Sequence, residues 1–468
     1  MTGIEPPEVT RQIASFIAAT RFEDLPDDAI QVAVRCVLDG MAVMIAGTQE
    51  ACATIARDYV RSVGGKEEVT VFGAGGRRSP IHLAAFANGI AGHALDYDDT
   101  ALSLEKDRSV LIHPTMPALC AALAVSELTG ASGPEFLTAF VLGFETEVKV
   151  AEAIHPDHFA GGRGFHSSGT IGVFGSAAAA AKLMKLTEEQ TCHALAIAAT
   201  MSAGLGVNHG TMSKPLNMGR SAETGVTAAR LASLGFDGPG NALEGGRGFF
   251  EAFGGGFAAE KIVDRLGAPF AILDPGSSIK PYPSGVVGHP GMDAMKTLVT
   301  LHDIAPGDVA KVVVRTGLNV IAPGPLRVAH ARTALEGKFC VPFQMAAMIL
   351  RRKAGLAEFS DDFVASEACQ AMQKRVTAVI APDIAALGKD KIVFEIELHT
   401  HSGAVHVQRS EEHYRGGPRN PLTWEELVEK FRDCSEGVIE KGAQDTFIAN
   451  CRNIADLPTI LPLVKSLI

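Results

Sequence analysis

The sequence is poor in aromatic residues, with one Trp, four Tyr and 6% aromatics in all. A β-sandwich, where aromatic and β-branched residues lead, is not expected from such a composition. Hydrophobicity supplied mainly by Ala, Val, Leu and Ile suits closely packed helices instead. Eight cysteines (Cys36, Cys52, Cys120, Cys192, Cys340, Cys369, Cys434 and Cys451) include no CxxC pair. Zinc-ribbon, thioredoxin-like and clustered iron–sulfur readings therefore lose their usual signature. Cysteines inside apolar runs, such as Cys120, read as buried small hydrophobes in a reducing compartment. Positive charge is in deficit, the formal net charge being -11 at pH 7. That balance argues against a nucleic-acid partner, which needs clustered Lys and Arg. It also means that an anionic substrate requires a local positive pocket. The first residues lack the basic and apolar blocks of a signal peptide. The most apolar stretch, Gly175 to Val207, is broken by Lys182, Lys185, Glu188 and Glu189, which argues against a membrane span. A cytoplasmic location is the expectation.

What is present is enough chain, 468 residues, for two domains and a large core. From about residue 8 to 270 the pattern is helical. Asp27 to Ile45 is amphipathic with Pro26 at its start. Ser132 and Glu135 are spaced as a capping box ahead of Phe136 to Ala153, and Thr187 opens Gln190 to Met201. Ala118 to Ser126 and Ser176 to Leu183 are apolar nearly all round, which predicts helices buried on most faces. Near Leu273 the character changes. Lys311 to Arg315 and Lys391 to Leu398 read as strands, and Ser402-Gly403 leads into Ala404 to Val407 as a hairpin. Phe343 to Lys353 and Phe363 to Val379 read as helices, as does Trp424 to Ile439. The predicted fold is mainly α: a helical domain (1–272), an inserted α+β domain (273–410) and C-terminal helices (411–468) returning to the first.

The densest polar constellation runs from Ala87 through His93 to Asp96-Tyr97-Asp98-Asp99-Thr100. A loop from Ala101 to Ile112, carrying Glu105, Lys106, Asp107 and Arg108, separates it from His113-Pro114. Three readings stay open: a capped helix end and turn, a Mg²⁺ or Ca²⁺ site, and closely spaced carboxylates with separated pKa values for acid/base work. A second cluster, Gly161 to Thr170 with Arg163 and His166, is Gly-rich and leads into an Ala-rich helix. It matches neither the P-loop nor the dinucleotide fingerprint. Lys214 in Asn208 to Arg220, and Lys280 in Lys280 to Gly285, each sit beside a Pro in stretches that look like loop.

These motifs resemble the MmgE/PrpD family, which includes 2-methylcitrate dehydratases, cis-aconitate decarboxylases and iminodisuccinate epimerases. The matching stretches are Phe86 to Thr100, His113-Pro114, Phe165 to Gly175, Met212 to Gly219, Lys280 to Pro283 and Gly416 to Leu422, spread over nearly the whole chain. The resemblance implies a large all-helical domain with a smaller α+β lid, a homodimer, and no metal or organic cofactor. It also implies a pocket at Asp96, Thr100, His113, His166, Lys214 and Lys280. Two departures, the longer Ala101–Ile112 segment and the lack of a tyrosine between Val312 and Lys338, set dehydration ahead of cis-aconitate decarboxylation.

The shared chemistry is proton removal or delivery beside a carboxylate, where developing charge needs nearby cations. Lys214, Lys280 and Arg163 or Arg220 are expected to bind a di- or tricarboxylate together with Thr100. Asp96 and His113 are the expected proton-transfer pair, with His166 as a second donor or orienting group. The expected activity is a hydro-lyase on a citrate- or 2-methylcitrate-like acid. The alternatives are an epimerase of an imino- or amino-dicarboxylate, a decarboxylase, or a non-catalytic helical binding protein.

Overall fold

The computed structural model describes residues 8–105, 108–159, 162–322, 324–388 and 391–468. The chain divides into two compact units. One holds residues up to Leu102, Ser109–Ser277 and Trp424–Ile468, and the other holds Ser278–Thr423 with the hairpin tip Ser103–Arg108. The architecture is mainly α.

From the N-terminus the elements are α1 (Val9–Ala19), α2 (Asp27–Gly47), α3 (Ala51–Val63), β1 (Val69–Thr70), β2 (Arg78–Ser79) and α4 (Ile81–His93). They continue with β3 (Ala101–Glu105), β4 (Arg108–Ile112), α5 (Thr115–Thr129), α6 (Gly133–Ala153), α7 (Gly172–Leu183), α8 (Glu188–Thr200) and α9 (Ser213–Ser233). The capping boxes form as the sequence suggests. The Ser132 hydroxyl accepts from Glu135 N–H while the Glu135 carboxylate accepts from Ser132 N–H, and Thr187 and Gln190 do the same for α8. Every residue of α5 from Thr115 to Ser126 is buried, as is nearly all of α7. These two helices form the centre of the first unit, where an amphipathic helix would strand polar groups. One helix, α2, is long and apolar enough to cross a membrane. Its residues from Cys36 to Gly47 are all buried inside the unit, and a core helix passes the same test.

Small residues decide how closely α9 lies on its neighbours α4 and α7. A Cβ at Gly219 would come within 2.6 Å of the Phe86 carbonyl oxygen on α4, and one at Gly225 within 2.1 Å of Ser176 on α7. Only glycine permits that approach. The consequence is functional, because α4 ends at His93 and the first turn of α9 carries Lys214.

The second unit contains α10 (His289–Leu301), β5 (Val309–Thr316), α11 (Val341–Arg351), α12 (Glu367–Gln373), β6 (Val376–Ile380), β7 (Phe394–Thr400) and β8 (Val405–Arg409). Its sheet has the order β6-β5-β7-β8. β5 runs parallel to β6 and antiparallel to β7, and β7 and β8 form the hairpin expected around Ser402-Gly403. Phe394, Ile396 and Leu398 alternate inward along β7, as a half-buried strand requires. The helix α10 packs against β7 and β8. The chain then returns to the first unit as α13 (Trp424–Ser435) and α14 (Lys441–Arg452).

Four expectations need correction. The first unit is not wholly helical, since β1 and β2 pair antiparallel within it. The segment from Ala101 to Ile112 is not an irregular loop: β3 and β4 pair in a two-stranded sheet, with Lys106 and Asp107 outside the described residues. The helix expected over Phe363 to Val379 is two short helices, Asp361–Ala365 and Glu367–Gln373, broken at Ser366. The β-branched run after them, Val376-Thr377-Ala378-Val379-Ile380, becomes a strand because β5 offers it a parallel partner. Finally, the second unit begins at Ser278 and extends to Thr423, not 273 to 410. The segment after residue 410 belongs there because Tyr414 and Ser278 share a 2.6 Å hydrogen bond. Gly416 (φ +86) also sits so close to Ile279 that a Cβ would lie 2.1 Å from its carbonyl oxygen.

Candidate active site

The helix α4 ends at His93, and Asp96, at φ +52, turns the chain out of the helix. The left-handed conformation is one that Asp tolerates better than most residues. The β3–β4 hairpin then carries the chain out and back, so Asp99-Thr100 and His113 become neighbours despite 12 intervening residues. His113 Nδ1 is 2.9 Å from the Asp99 carbonyl oxygen, and the His113 N–H donates to Ser168 Oγ at 3.0 Å. Ser168 follows His166 closely, so one hydrogen bond joins the His113 and His166 segments.

The first turn of α9 adds Lys214, whose Nζ lies 3.0 Å from Asp96 Oδ1, with about a tenth of either side chain exposed. His113 Nε2 approaches the same oxygen at 3.9 Å. Behind this pair Asp98 is wholly buried. His93 Nδ1 lies 2.8 and 2.9 Å from its two oxygens, and His113 Nδ1 is 3.3 Å from Oδ2. The imidazoles form a row: His93 to His113 at 4.6 Å between centroids, His93 to His166 at 5.9 Å, and His166 to His209 at 5.2 Å. Five of the seven expected site residues (Asp96, Thr100, His113, His166 and Lys214) thus belong to one neighbourhood of the first unit.

Of the other two, Arg163 lies on an exposed loop and Lys280 belongs to the second unit. Arg163 is exposed and its guanidinium donates to the Ala252 carbonyl at 2.9 Å, so it is corrected to a loop-fixing residue. Arg220, the alternative cation, is likewise exposed and pairs with Glu223 one turn along α9. Lys280 is a residue of the second unit, 2% exposed. Its loop is held by Lys338, whose carbonyl accepts from Gly285 N–H at 3.0 Å and whose Nζ donates to the Pro283 carbonyl at 3.3 Å.

Sequence reasoning did not select several residues that build the site. Tyr97 is clasped by Lys430 of α13, which donates to the Tyr97 carbonyl at 3.1 Å, lies 3.7 Å from its ring centroid and pairs with buried Asp39 at 2.5 Å. Asp99 accepts from the Ser277 hydroxyl at 2.6 Å and from Thr115 N–H at 3.3 Å. Lys430 and Ser277 are far away along the chain, so no local pattern could reveal them. His93, Asp98, Ser168, His209 and Asn217 all fall inside motifs already recognised. Only their burial and mutual distances single them out.

The electrostatics separate these groups. Burial pushes Asp98 up, but His93 and His113 together hold its carboxyl well below the usual carboxylate range. Burial pushes Asp99 up to about 7, with Asp98 adding to the rise and the Ser277 hydrogen bond opposing it. Burial lowers His93 to about 4 despite Asp98, and burial with the Lys214 charge holds His166 well below the ordinary imidazole value. Two neutral imidazoles and one firmly ionised carboxylate result near neutral pH. His93, Asp98 and His113 are compact enough for a metal ion, their ligand atoms lying within 4.8 Å of one another. Each histidine Nδ1 already faces Asp98 at hydrogen-bond or ion-pair distance, while the buried His93 Nε2 has no hydrogen-bond partner. Among the other buried atoms with no hydrogen-bond partner are Thr100 Oγ1, His166 Nδ1 and Asn217 Nδ2. Unsatisfied buried polar atoms are costly, and a polar ligand would satisfy them.

Two family models match the chain, the MmgE/PrpD N-terminal domain over residues 11–261 and the MmgE/PrpD C-terminal domain over residues 282–455. The chain belongs to the MmgE/PrpD family. Among its relatives are proteins named cis-aconitate decarboxylase. The one from Homo sapiens is 29% identical over 96% of this chain and 92% of its own length. The one from Mus musculus is 28% identical over 98% and 93%, and the one from Aspergillus terreus 22% identical over 98% and 96%. In this MmgE/PrpD chain the residues from Asp96 to Lys214 all fall within the N-terminal family match.

The raised Asp99 gives a pH prediction. Its folded state keeps a proton between the ordinary value of 3.8 and about 7, where the unfolded chain has lost it. Stability from this group is therefore full below the ordinary carboxylate value and lost as pH rises through 7. Asp99→Asn cannot titrate, and its amide oxygen still accepts a hydrogen bond. Between pH 5 and 8 the variant is expected to gain on wild type by about 2–3 kcal/mol. Urea unfolding at both pH values checks this. A constant difference between the two proteins would show that Asp99 is ionised throughout.

Proposed function

We propose that this chain is a lyase that binds a small polycarboxylate and moves a proton at the carbon beside one of its carboxylates. One observation carries the reading. Lys214, Asp96, His113 and His166 converge in a largely buried neighbourhood where Thr100 Oγ1, His166 Nδ1 and Asn217 Nδ2 have no hydrogen-bond partner. A carboxylate there would accept from Lys214 and Asn217, and the ammonium would steady negative charge developing on the substrate. The protein's net charge of -11 repels a polyanion at long range, so this local cation supplies the attraction. The substrate-binding role expected of Lys280, the lid role expected of the second unit and the homodimer enter the proposal on the family resemblance alone.

Within the lyases, two finer readings differ in the bond that breaks. Decarboxylation of a cis-aconitate-like acid is supported by the names of the relatives matched over nearly their full length. Dehydration of a citrate- or 2-methylcitrate-like acid is supported by the longer segment between Thr100 and His113. The relatives weigh more, and decarboxylation is the reading preferred here. Epimerisation of an imino- or amino-dicarboxylate would use the same proton transfer with no bond lost. Incubation with cis-aconitate, citrate, 2-methylcitrate and an amino-dicarboxylate separates the three. Carbon dioxide release is expected from cis-aconitate; a new alkene absorbance from citrate or 2-methylcitrate would favour dehydration. No change in any acid, with thermal shifts also absent, would end the lyase reading.

A further inference from the structure

The proposed chemistry leaves open which group takes the proton, and the surroundings of His113 answer it. Its Nδ1 faces two oxygens, the Asp99 carbonyl at 2.9 Å and Asp98 Oδ2 at 3.3 Å. A carbonyl oxygen only accepts, so the neutral ring must carry its proton on Nδ1. The lone pair is then on Nε2, which points toward Asp96 Oδ1 at 3.9 Å, beyond hydrogen-bond length but beside the Lys214 ammonium. We propose that Asp98 is the positioning residue of His113, which the Asp99 carbonyl holds in this tautomer, and that it stabilises the imidazolium present whenever Nε2 carries the transferred proton. The inference rests on the lyase reading for its substrate, but not for its geometry.

Asp98 is suited to the task because its other side is already occupied. His93 Nδ1–H donates to it, and the T-shaped contact of the His93 and His113 rings fixes both imidazoles around one carboxylate. His93 stays neutral under burial and does not compete for the transferred proton. The titratable and charged groups facing His113 are Asp96, Asp98, His93, His166 and His209, with Lys214 across Asp96. Asp98 is the anion directly on the Nδ1 side. In a dehydration or epimerisation the Nε2 lone pair forms the new N–H bond as the substrate C–H bond breaks, its electron pair stays on carbon as an enolate-like charge, and the proton later leaves Nε2 for product or water. In the preferred decarboxylation the C–C bond to one carboxylate breaks, carbon dioxide leaves, and the electron pair left on carbon takes the proton of the imidazolium Nε2–H, which water then restores.

The first part of the test needs no substrate. Nitrogen-15 spectra of the full-length protein, with His113 assigned by its loss in His113→Gln, report which nitrogen is protonated. The expected wild-type result is a single Nδ1–H tautomer. With an active acid in hand, Asp98→Asn should lower kcat about tenfold or more and change KM less, and Asp98→Glu, which keeps the charge, should restore kcat. A wild-type Nε2–H tautomer, or an unchanged kcat in a folded Asp98→Asn protein, overturns the proposal. If neither variant folds, the wild-type tautomer decides it. Failure of every acid in the turnover assay would refute the lyase reading while leaving these spectra to judge the tautomer on which the proposal stands.

Discussion

His113→Gln is expected to lower kcat by about 10²–10⁴ on whichever polycarboxylate the wild-type enzyme turns over, with KM changing little. Glutamine keeps a donor for the Asp99 carbonyl, and the main-chain hydrogen bond to Ser168 does not depend on the side chain. The segment should therefore stay in place while the imidazole nitrogen that approaches Asp96 at 3.9 Å is lost. His166 is a poorer base, because burial and the Lys214 charge hold it well below the ordinary imidazole value. His166→Gln should accordingly cost less. Steady-state kinetics at pH 7, with thermal unfolding as a control, check the order. Equal losses in both variants would shift the assignment toward His166.

The second large effect is expected from Lys214→Met, which preserves the aliphatic stem and removes the charge. Loss of one preorganised cation at a developing anion costs roughly 3–4 kcal/mol, or about 10²–10³ in rate. Here it also removes the lysine partner of Asp96, 3.0 Å away in a largely buried place. Both kcat and KM should therefore worsen, because the ammonium meets the carboxylate in the ground state and steadies the charge in the transition state. A rise in KM alone, with kcat intact, would assign Lys214 to binding only. Retention of full kcat/KM would remove it from the site.

Much of this was legible locally. The Ser132–Glu135 and Thr187–Gln190 boxes form because capping is decided within four residues. The buried helices α5 and α7 follow from apolar residues on every face. The site residues Asp96, His113, His166 and Lys214 were readable as residue types in motifs. What brings them together was not. It depends on a hairpin between Thr100 and His113, whose charged centre read as loop, and on the close approach of α9 to α4 at Gly219. The strand β6 was hidden because its partner β5 lies more than 60 residues earlier, and tertiary pairing overrides a weak local preference. Arg163 had suitable chemistry on an unsuitable loop, facing solvent and the Ala252 carbonyl. Lys430 had no motif at all, yet it holds Tyr97 from 333 positions away.

The central claim is that Asp96, His113, His166 and Lys214 form one site that moves a proton to or from the carbon beside a substrate carboxylate. Turnover in deuterium oxide tests it most directly, comparing wild type with His113→Gln and reading carbon-bound deuterium by mass spectrometry. Deuterium is expected beside the carboxylate in the decarboxylated or epimerised product, or in the acid regained by rehydration of an alkene. Its appearance should slow in step with kcat in His113→Gln. Wild-type turnover with no deuterium at carbon, or deuterium entering the variant at the wild-type rate, would contradict the claim.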